Sequence, residues 1–411
     1  MIVAHQGGWD ETLLVVGPLA FIYWLLRLAK RRAAGLAAMA PGPPPYEFDE
    51  VHSREEQREV LRQLLGTAPW CAGTLTYVDG TLTVGGWALP VIGSDAPGEI
   101  TVNGRPMRAD SWGTPRPDIE HLFWEWPDAA ATGFEVSLAI AAEDLFAEGH
   151  LVLDYTHGTP AQVINPNHRM YFPGPRRSNE PLPDHARQAR VQGMGDDTVF
   201  ALEGYSAFTK IVSTIERHTG RRRDHLGPLL DWGCGCGRLT RYFTGMRGTK
   251  VTGVDIDADN VAWCSANLSF GRYFAVPTTP PCSQLGDKEF RIVIGMSVMT
   301  HLTEVDQRAW LTELARVTKR GAIVALTVHG GATVARSDME MELLNQWLRV
   351  GFLDGGMNPD LVTSIDEPSF YRNSFHSPAY IAANWTEHFT VQQHIESFVG
   401  NHHDLVVLRR R

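Results

Sequence analysis

Two acidic residues and three glycines near the middle of the chain have the types and spacing of a ligand site. An apolar run leads into Asp231, and Gly233, Gly235 and Gly237 follow it at alternate positions. This pattern predicts a buried strand that ends in a tight loop before a helix over residues 239–243. A second apolar run, 251–254, leads into Asp255. Because open α/β sheets bind ligands beyond the carboxyl ends of their strands, Asp255 could accept both hydroxyls of a ribose, which predicts an adenosine compound.

This stretch of sequence does not match the motifs of phosphate-binding loops. The third position of the dinucleotide spacing, counted from Gly233, is Arg238 rather than glycine. A Gly-Lys-Ser/Thr triplet, which closes a phosphate-cradling loop, is absent from the sequence. The ligand is therefore expected to place no phosphate in this loop.

The loop Asp231-Trp-Gly-Cys-Gly-Cys-Gly-Arg238, together with the second acid, resembles the first two motifs of the class I S-adenosylmethionine-dependent methyltransferases. The resemblance covers about residues 204–409. It implies a doubly wound, seven-stranded, mostly parallel α/β sheet and S-adenosylmethionine as cofactor. It also implies a set of cofactor-binding residues around the loop and the neighbouring strand ends: Asp231, Gly233, Gly235, Gly237, Asp255, Ile256 and Met296.

Further short apolar runs continue the strand and helix alternation. Strands are predicted at 273–276, 290–295 and 322–328, with helices at 258–268 and from Thr303 onward. Two late strands, 389–393 and 405–408, would complete the sheet, the last one inserted antiparallel. One feature departs from the family, because many members carry an aspartate after strand three that binds the adenine amino group. Here Val276 runs into prolines, and the nearest polar side chains are Cys282, Ser283 and Gln284.

Histidines are the candidate catalytic residues. A sulfonium already makes its methyl carbon electrophilic, so a neutral hydroxyl acceptor needs chiefly alignment and a base that works near pH 7. His329 and His301 follow predicted strands, and His376 lies in a loop with Tyr371, Arg372, Tyr380 and Trp385 that could shape the acceptor pocket. His301 could equally be a residue that begins a helix and bonds backbone. His402 and His403 are expected to be solvated.

Composition limits the remaining functions. The net charge of −10 argues against a broad nucleic-acid surface, so no nucleic acid partner is expected. The five cysteines form no CxxC pair and no zinc spacing, which suits free thiols in a reducing compartment, and no metal site is predicted.

The amino-terminal residues 1–35 are predicted to form a hydrophobic helix. Residues 12–26 are uncharged and rich in apolar side chains, and a basic cluster follows. Residues 12–29 are short for a membrane span of about 20 residues. Two interpretations stay open: an anchor that holds a cytoplasmic protein at the inner face of the membrane, or a hydrophobic helix that packs on the protein or lies along a membrane surface.

Residues 36–70 are predicted as a linker with a short amphipathic helix, Ser53 to Leu65. Residues 71–165 contain short predicted strands in which apolar and polar residues alternate. Turn residues such as Asp79-Gly80 and Asn103-Gly104 separate these strands, and the whole pattern predicts a small β-sandwich. This part loosely resembles the immunoglobulin-like modules of bacterial glycan-processing proteins. Three tryptophans could stack on sugar rings, although core packing is the favoured interpretation: Trp112, Trp124 and Trp126. A second linker, 166–195, would precede the methyltransferase domain, 196–411.

Three functions are consistent with these patterns. The first is S-adenosylmethionine-dependent O-methylation of a sugar, a glycolipid or a small-molecule hydroxyl, because the residues after strand four lack the Asn/Asp-Pro-Pro-aromatic run of many amino methyltransferases. The second is small-molecule methylation by an enzyme whose sandwich only dimerises. The third is a non-catalytic cofactor-binding or scaffold protein with a degenerate methyltransferase fold. The oligomeric state stays open.

Overall fold

The computed structural model describes residues 48, 50–66, 68–92, 98–157, 167–175, 179–246, 248–358 and 368–411. The hydrophobic segment 12–29 and the proline-rich residues 42–46 lie outside the described residues. Among the helices of the described ranges, none combines the length and the apolar character that a membrane crossing requires.

The described chain contains ten α-helices and seventeen β-strands, together with short 3₁₀ turns. The helices are α1 (Arg54–Leu65), α2 (Pro117–Leu122), α3 (Ala142–Leu145), α4 (His185–Gln192), α5 (Asp197–Thr219), α6 (Ala258–Asn267), α7 (Glu304–Val317), α8 (Gly331–Arg336), α9 (Met341–Val350) and α10 (Pro378–Asn384). The strands are β1 (Trp70–Val78), β2 (Thr81–Ala88), β3 (Gly98–Val102), β4 (Arg105–Pro106), β5 (Arg108–Thr114), β6 (Gly133–Ala139), β7 (His150–His157), β8 (Arg169–Pro173), β9 (Leu229–Trp232), β10 (Val251–Asp255), β11 (Arg272–Ala275), β12 (Phe290–Gly295), β13 (Thr318–His329), β14 (Phe352–Met357), β15 (Arg372–His376), β16 (Phe389–Val399) and β17 (His403–Arg410).

Strands β1 to β8 form two four-stranded antiparallel sheets, in the orders β1-β2-β6-β5 and β4-β3-β7-β8. The turns at Asp79-Gly80 and Asn103-Gly104 have positive φ at both residues, the geometry that tight hairpins require. Buried side chains of both sheets, among them Val84 and Leu153, belong to one hydrophobic cluster. Each strand that the sequence predicted in residues 71–165 lies in one of these two sheets.

The second half of the chain forms a nine-stranded mixed sheet. Its parallel strands stand in the order β11-β10-β9-β12-β13. The last strand, β17, runs antiparallel between β13 and β16, as the sequence predicted. A β14-β15 hairpin adds to the sheet at the carboxyl end of β13, where Phe375 pairs with His329. The carboxyl ends of β9, β10, β12 and β13 therefore face one region, where parallel sheets bind ligands.

Three predictions differ from the structure. The described sheet has nine strands rather than the predicted seven, because the β14-β15 hairpin adds two. The predicted linker 166–195 contains strand β8 and helix α4, because Asp184 caps that helix and the apolar residues of β8 complete the second antiparallel sheet. The helix predicted at 239–243 is only a 3₁₀ turn, Thr240–Phe243. The Thr240 hydroxyl donates to the Asp231 carboxylate there, which ties the turn to the end of β9.

The antiparallel sheets and the mixed sheet pack together through helices. Helix α5 packs against β8 and β1, and α1 packs against α8. Leu61 of α1, Phe123 and Leu344 of α9 belong to one buried cluster that joins the two halves of the chain. Trp126 is buried in this cluster and donates from Nε1 to the Pro90 carbonyl oxygen. Trp124 lies beneath the Arg54 guanidinium, and Trp112 stacks on Phe134, so all three tryptophans pack against protein groups.

Glu125 is expected to destabilise this junction at neutral pH. Its side chain is fully buried, and neither carboxylate oxygen has a hydrogen-bond partner in another described residue. Burial raises the pKa of Glu125 from 4.5 to about 7. The folded state therefore binds more protons than the unfolded state between these values, and stability falls as the pH rises through that window.

We expect Glu125→Gln to raise the free energy of unfolding by about 1–3 kcal/mol at pH 8 and by much less at pH 5. Urea denaturation at both pH values measures this difference. Glu120→Gln, on the exposed side of α2, is the matched control and should change stability at neither pH. Equal gains for Glu125→Gln at pH 5 and pH 8 would contradict the assignment.

Candidate functional site

The glycine loop after β9 takes a conformation that side chains would obstruct. Gly233 and Gly235 have φ values of 77° and 51°, in the left-handed region that glycine adopts without strain. A Cβ on Gly233 would lie 2.2 Å from Val298 Cγ2, and one on Gly235 would lie 2.4 Å from Val191 Cγ1. Neighbouring side chains therefore pack so closely on the loop that neither glycine has room for a Cβ.

Asp255 holds the loop in place. One carboxylate oxygen accepts from the Gly235 amide at 2.6 Å, and the other accepts from the Asp257 amide at 2.9 Å. Each oxygen keeps a further lone pair, which could accept a ribose hydroxyl. Burial raises the pKa of Asp255 to about 6, and it raises the pKa of Asp231, which is fully enclosed, to about 6 as well.

A single cavity of about 590 Å³ extends along this edge of the sheet. Gly237, predicted as a cofactor contact, does not line it. The reason is that the loop turns inward at this residue, where a Cβ would lie 2.8 Å from Leu268 of the adjacent segment. The other six predicted cofactor residues all line the cavity: Asp231, Gly233, Gly235, Asp255, Ile256 and Met296.

Helix α4 covers the glycine loop. Arg187 and Arg190 each donate to the Asp259 carboxylate at 2.7 Å, and Arg190 also lies 3.4 Å from the Asp257 carboxylate. These ion pairs attach α4 to the start of α6. Val191 and the residues after it line the cavity, so the segment predicted as a linker forms one of its walls.

His301 lies in the cavity wall with a defined tautomer. Its Nδ1 lies 2.8 Å from the Arg372 carbonyl oxygen, which can only accept, so Nδ1 carries the proton and Nε2 keeps a lone pair. The ring stacks on Tyr371 with centroids 3.9 Å apart. Burial lowers the pKa of His301 to about 4, so the ring is neutral at pH 7.

His329 ends β13 and also lines the cavity. Its Nδ1 is buried and has no hydrogen-bond partner among the described residues. The His402 and His403 rings lie 4.8 and 5.2 Å from the His329 ring, centroid to centroid. The prediction that His402 and His403 are solvated is therefore wrong, because β17 inserts beside β13 and places both at the cavity wall.

His376 lies outside the cavity lining. Its side chain is fully buried, and its Nε2 faces the Gln307 side-chain oxygen at 3.0 Å. The sequence predicted that His376 could shape an acceptor pocket. In the structure, its side chain lies on β15 and packs in the core between Phe352 and Trp385. Burial lowers the pKa of His376 to about 3, so the ring is neutral in the folded protein.

The part of the wall that sequence reasoning missed comes from distant segments. Trp70 and Cys71 of β1 line the same cavity as Glu203 and Lys210 of α5 and Arg238 of the glycine loop. Lys210 donates to the Asn167 side chain at 2.7 Å, and burial lowers the pKa of Lys210 to about 7. The one local signal was the pair Glu203 and Lys210. They are the only charged residues in 198–215 of α5, and their spacing of seven residues places them on one face of the helix.

The cavity wall after β11, where the family resemblance implies the adenine, is not formed by the polar side chains that the sequence suggested. Val276 and Thr278 line the cavity, whereas Cys282, Ser283 and Gln284 do not. Cys282 is buried, and its amide donates to the Glu313 carboxylate, which pulls this segment toward α7. Trp310 donates to the Thr278 carbonyl oxygen and so fixes the wall at this position.

Residues 229–321 match the family model described as a methyltransferase domain. No curated protein matches the chain in sequence. Among solved structures, the chain is similar to the PH0226 protein from Pyrococcus horikoshii OT3, at 17% identity over 50% of this chain and 91% of that one, with a TM-score of 0.36. It is similar to a TehB-like SAM-dependent methyltransferase from Corynebacterium glutamicum, at 15% identity over 49% of this chain and 88% of that one, with a TM-score of 0.31. It is also similar to the 1,6-didemethyltoxoflavin-N1-methyltransferase from Burkholderia thailandensis, at 16% identity over 62% of this chain and 98% of that one, with a TM-score of 0.36.

The matched residues 229–321 contain the glycine loop, Asp255 and His301. The chain therefore contains a methyltransferase domain at residues 229–321, and this match supports S-adenosylmethionine-dependent methyl transfer with S-adenosylmethionine as the cofactor. Bound there, the cofactor supplies a sulfonium methyl group, and the loop and Asp255 are the groups that would hold its amino-acid and ribose parts.

Proposed function

We propose that this enzyme transfers the methyl group to a hydroxyl oxygen of a polar acceptor, such as a sugar, a glycolipid headgroup or a small hydroxylated molecule. One observation carries the proposal. The glycine loop and His301 line the same cavity, and the Arg372 carbonyl oxygen holds the His301 proton on Nδ1. A lone pair on Nε2 therefore stands beside the space that cofactor and acceptor share.

His301 is the base in this proposal. A neutral hydroxyl is a poor nucleophile near pH 7, and a positioned imidazole that takes its proton typically accelerates such a step by about 10²–10⁴-fold. As the oxygen bonds to the methyl carbon, the hydroxyl proton passes to Nε2 of His301, and the thioether S-adenosylhomocysteine leaves. Among the residues that the structure describes, no carbonyl oxygen accepts from His329, the other candidate base, so we assign the role to His301.

We take the acceptor to be polar because three ionisable side chains line the cavity, here called the far wall: Glu203, Lys210 and Arg238. The Arg238 guanidinium forms no hydrogen bond or ion pair with any described residue. Buried polar groups that lack partners favour a ligand that brings its own hydroxyls, and they discriminate against apolar analogues. A polyhydroxylated molecule is the class that satisfies several such groups at once.

The amino-terminal half contributes to the acceptor wall in this proposal. We take residues 71–165 as an immunoglobulin-like sandwich module and 196–411 as the methyltransferase domain. Trp70 and Cys71 at the start of β1 line the cavity, so the module would select the acceptor as well as stabilise the fold. Residues 12–29 would anchor the enzyme at the inner face of the membrane if its acceptor is a glycolipid.

The test is the identity of the methylated atom. The full chain is incubated with S-adenosylmethionine carrying a ¹³C methyl group and, separately, with free sugars, lipid-linked sugars and hydroxylated aromatic compounds. We expect a new O-methyl carbon resonance with one of these classes and none with the Gly235→Val enzyme. Labelling of a nitrogen acceptor, with no turnover of any hydroxyl compound, would overturn the proposal.

A further inference from the structure

Three histidines meet at one point of the cavity wall. His329 is the last residue of β13, and the antiparallel register pairs it directly with His403, the first residue of β17. Directly opposed residues in a sheet place their side chains on the same face. The two rings accordingly lie parallel within 15°, with centroids 5.2 Å apart.

His402 reaches the same point from the turn before β17. Two groups of α8 hold this turn: the Thr333 hydroxyl donates to the His402 carbonyl oxygen, and Arg336 donates to the Asn401 carbonyl oxygen. The His402 ring lies 4.6 Å from the His403 ring and 4.8 Å from the His329 ring, centroid to centroid. One ring nitrogen of each histidine lies within 4.8 Å of the corresponding nitrogens of the other two.

The cluster offers lone pairs rather than positive charges. Three imidazolium ions so close together would repel one another, so the neutral form is the one that fits this geometry. Neutral imidazole is the form that binds transition metals.

Two details point to an ion at the centre of the cluster. His329 Nδ1 is buried and has no hydrogen-bond partner among the described residues, which costs about 1–3 kcal/mol unless a ligand satisfies it. On the other side, Ser297 has φ of 57° and places its hydroxyl 3.3 Å from His403 Nε2. A hydrogen bond to one ring nitrogen fixes which nitrogen faces a metal, the usual arrangement around metal-binding histidines.

We propose that His329, His402 and His403 bind one divalent transition-metal ion, with zinc the best fit, in the wall of the methyl-transfer cavity. Zinc binds imidazole nitrogens at about 2.0–2.1 Å with tetrahedral geometry, which places them roughly 3.3 Å apart. The three ring nitrogens, now within 4.8 Å of one another, would have to approach by about 1.5 Å when the ion binds. Three protein ligands leave a fourth position for an oxygen atom, as in catalytic zinc sites.

The open coordination position would let the ion bind an oxygen of the acceptor and so contribute to acceptor specificity. This part of the inference rests on the proposed function. A metal-bound hydroxyl oxygen would be held beside His301, whose ring centroid lies 6.2 Å from that of His329. The acceptor class would then be a molecule with two neighbouring oxygens, one bound to the ion and one available to a charged group of the far wall.

The test is a zinc titration of the full chain after removal of metal by a chelator. Isothermal titration calorimetry with ZnCl₂ should show one ion per chain, bound more tightly than about 1 μM. His329→Gln, His402→Gln and His403→Gln should each weaken binding by at least about 100-fold, the upper range for losing an outer partner of a metal ligand. His218→Gln is the matched control and should leave the affinity unchanged, because that ring faces Gln393 far from the cluster.

Two further measurements distinguish loss of the metal site from misfolding of a variant. The affinity of the metal-free variants for S-adenosylmethionine shows that they are folded, and the visible absorption of the Co²⁺-loaded wild-type chain reports tetrahedral nitrogen coordination without any variant. Absence of stoichiometric zinc binding to the wild-type chain, or binding that all three variants retain, would overturn the inference. Since the titration reads no methylation, its failure is distinct from failure of the proposed function.

Discussion

Gly235→Val abolishes S-adenosylmethionine binding while the chain stays folded: this is the largest effect that we expect. A side chain at this position must adopt φ of 51°, and its Cβ would lie 2.4 Å from Val191 of α4. The Val191 side chain, α4 or the loop must move to relieve that contact, and a shift of the loop would take the Gly235 amide away from the Asp255 carboxylate. We expect affinity to fall by more than about 100-fold, or roughly 3 kcal/mol, as measured by isothermal titration calorimetry.

Gly220→Val separates backbone strain from loss of the site. Gly220 has φ of 66° and caps α5, and a Cβ there would meet no atom within 4 Å. Both variants carry a residue in the left-handed region, which costs about 1–2 kcal/mol of stability. Only Gly235→Val should lose the cofactor, with circular dichroism as the check on folding. An affinity within threefold of wild type for Gly235→Val would refute the assignment of this loop.

The second large effect concerns turnover. His301→Ala should lower kcat by about 10²–10⁴-fold, since the substitution removes the group that accepts the hydroxyl proton. Affinity for S-adenosylmethionine should change little, because we assign cofactor binding to the glycine loop and Asp255. Single-turnover kinetics with the acceptor identified from the ¹³C experiment measure the chemical step directly. Added imidazole should restore part of the rate, since the alanine leaves a space open to the cavity.

His376→Gln is the matched control for His301. Both histidines are buried, but His376 faces Gln307 in the core and does not line the cavity. Its substitution should lower stability and leave the turnover of folded enzyme unchanged. Full activity of His301→Ala, or loss of activity that imidazole never restores together with weakened cofactor binding, would remove His301 as the base.

The contrast between His301 and His329 follows from what each ring contacts. His301 has a carbonyl oxygen at Nδ1 and an aromatic ring against its face, so one tautomer and one orientation are fixed. His329 has two other histidines around it and an unsatisfied nitrogen. One environment suits a proton acceptor, and the other suits a metal ligand. Their positions after consecutive parallel strands could not separate the two roles.

The sequence by itself predicted the residues that we assign to cofactor binding. Asp231, the glycine loop and Asp255 belong to local patterns in which an apolar run predicts a strand and the residue types after it define the ligand. Strand β17 was also predictable, since the apolar run 405–408 predicts a strand and the family resemblance implies its antiparallel place in the sheet, where it pairs with β13. Gly237 shows the limit of a motif: its spacing matches the pattern, but the fold turns it toward Leu268.

Only the tertiary structure decided the acceptor wall and the histidine cluster. Trp70, Glu203, His329 and His402 are separated by tens to hundreds of residues, and their approach depends on how α5 packs on β1 and how β17 inserts beside β13. Periodicity along the chain records which face of an element is apolar, but it does not record which other element covers that face. From the sequence alone, polar residues at such junctions are expected to be solvated. Their pKa values and their neighbours are set only when the two halves of the chain pack together and bury them.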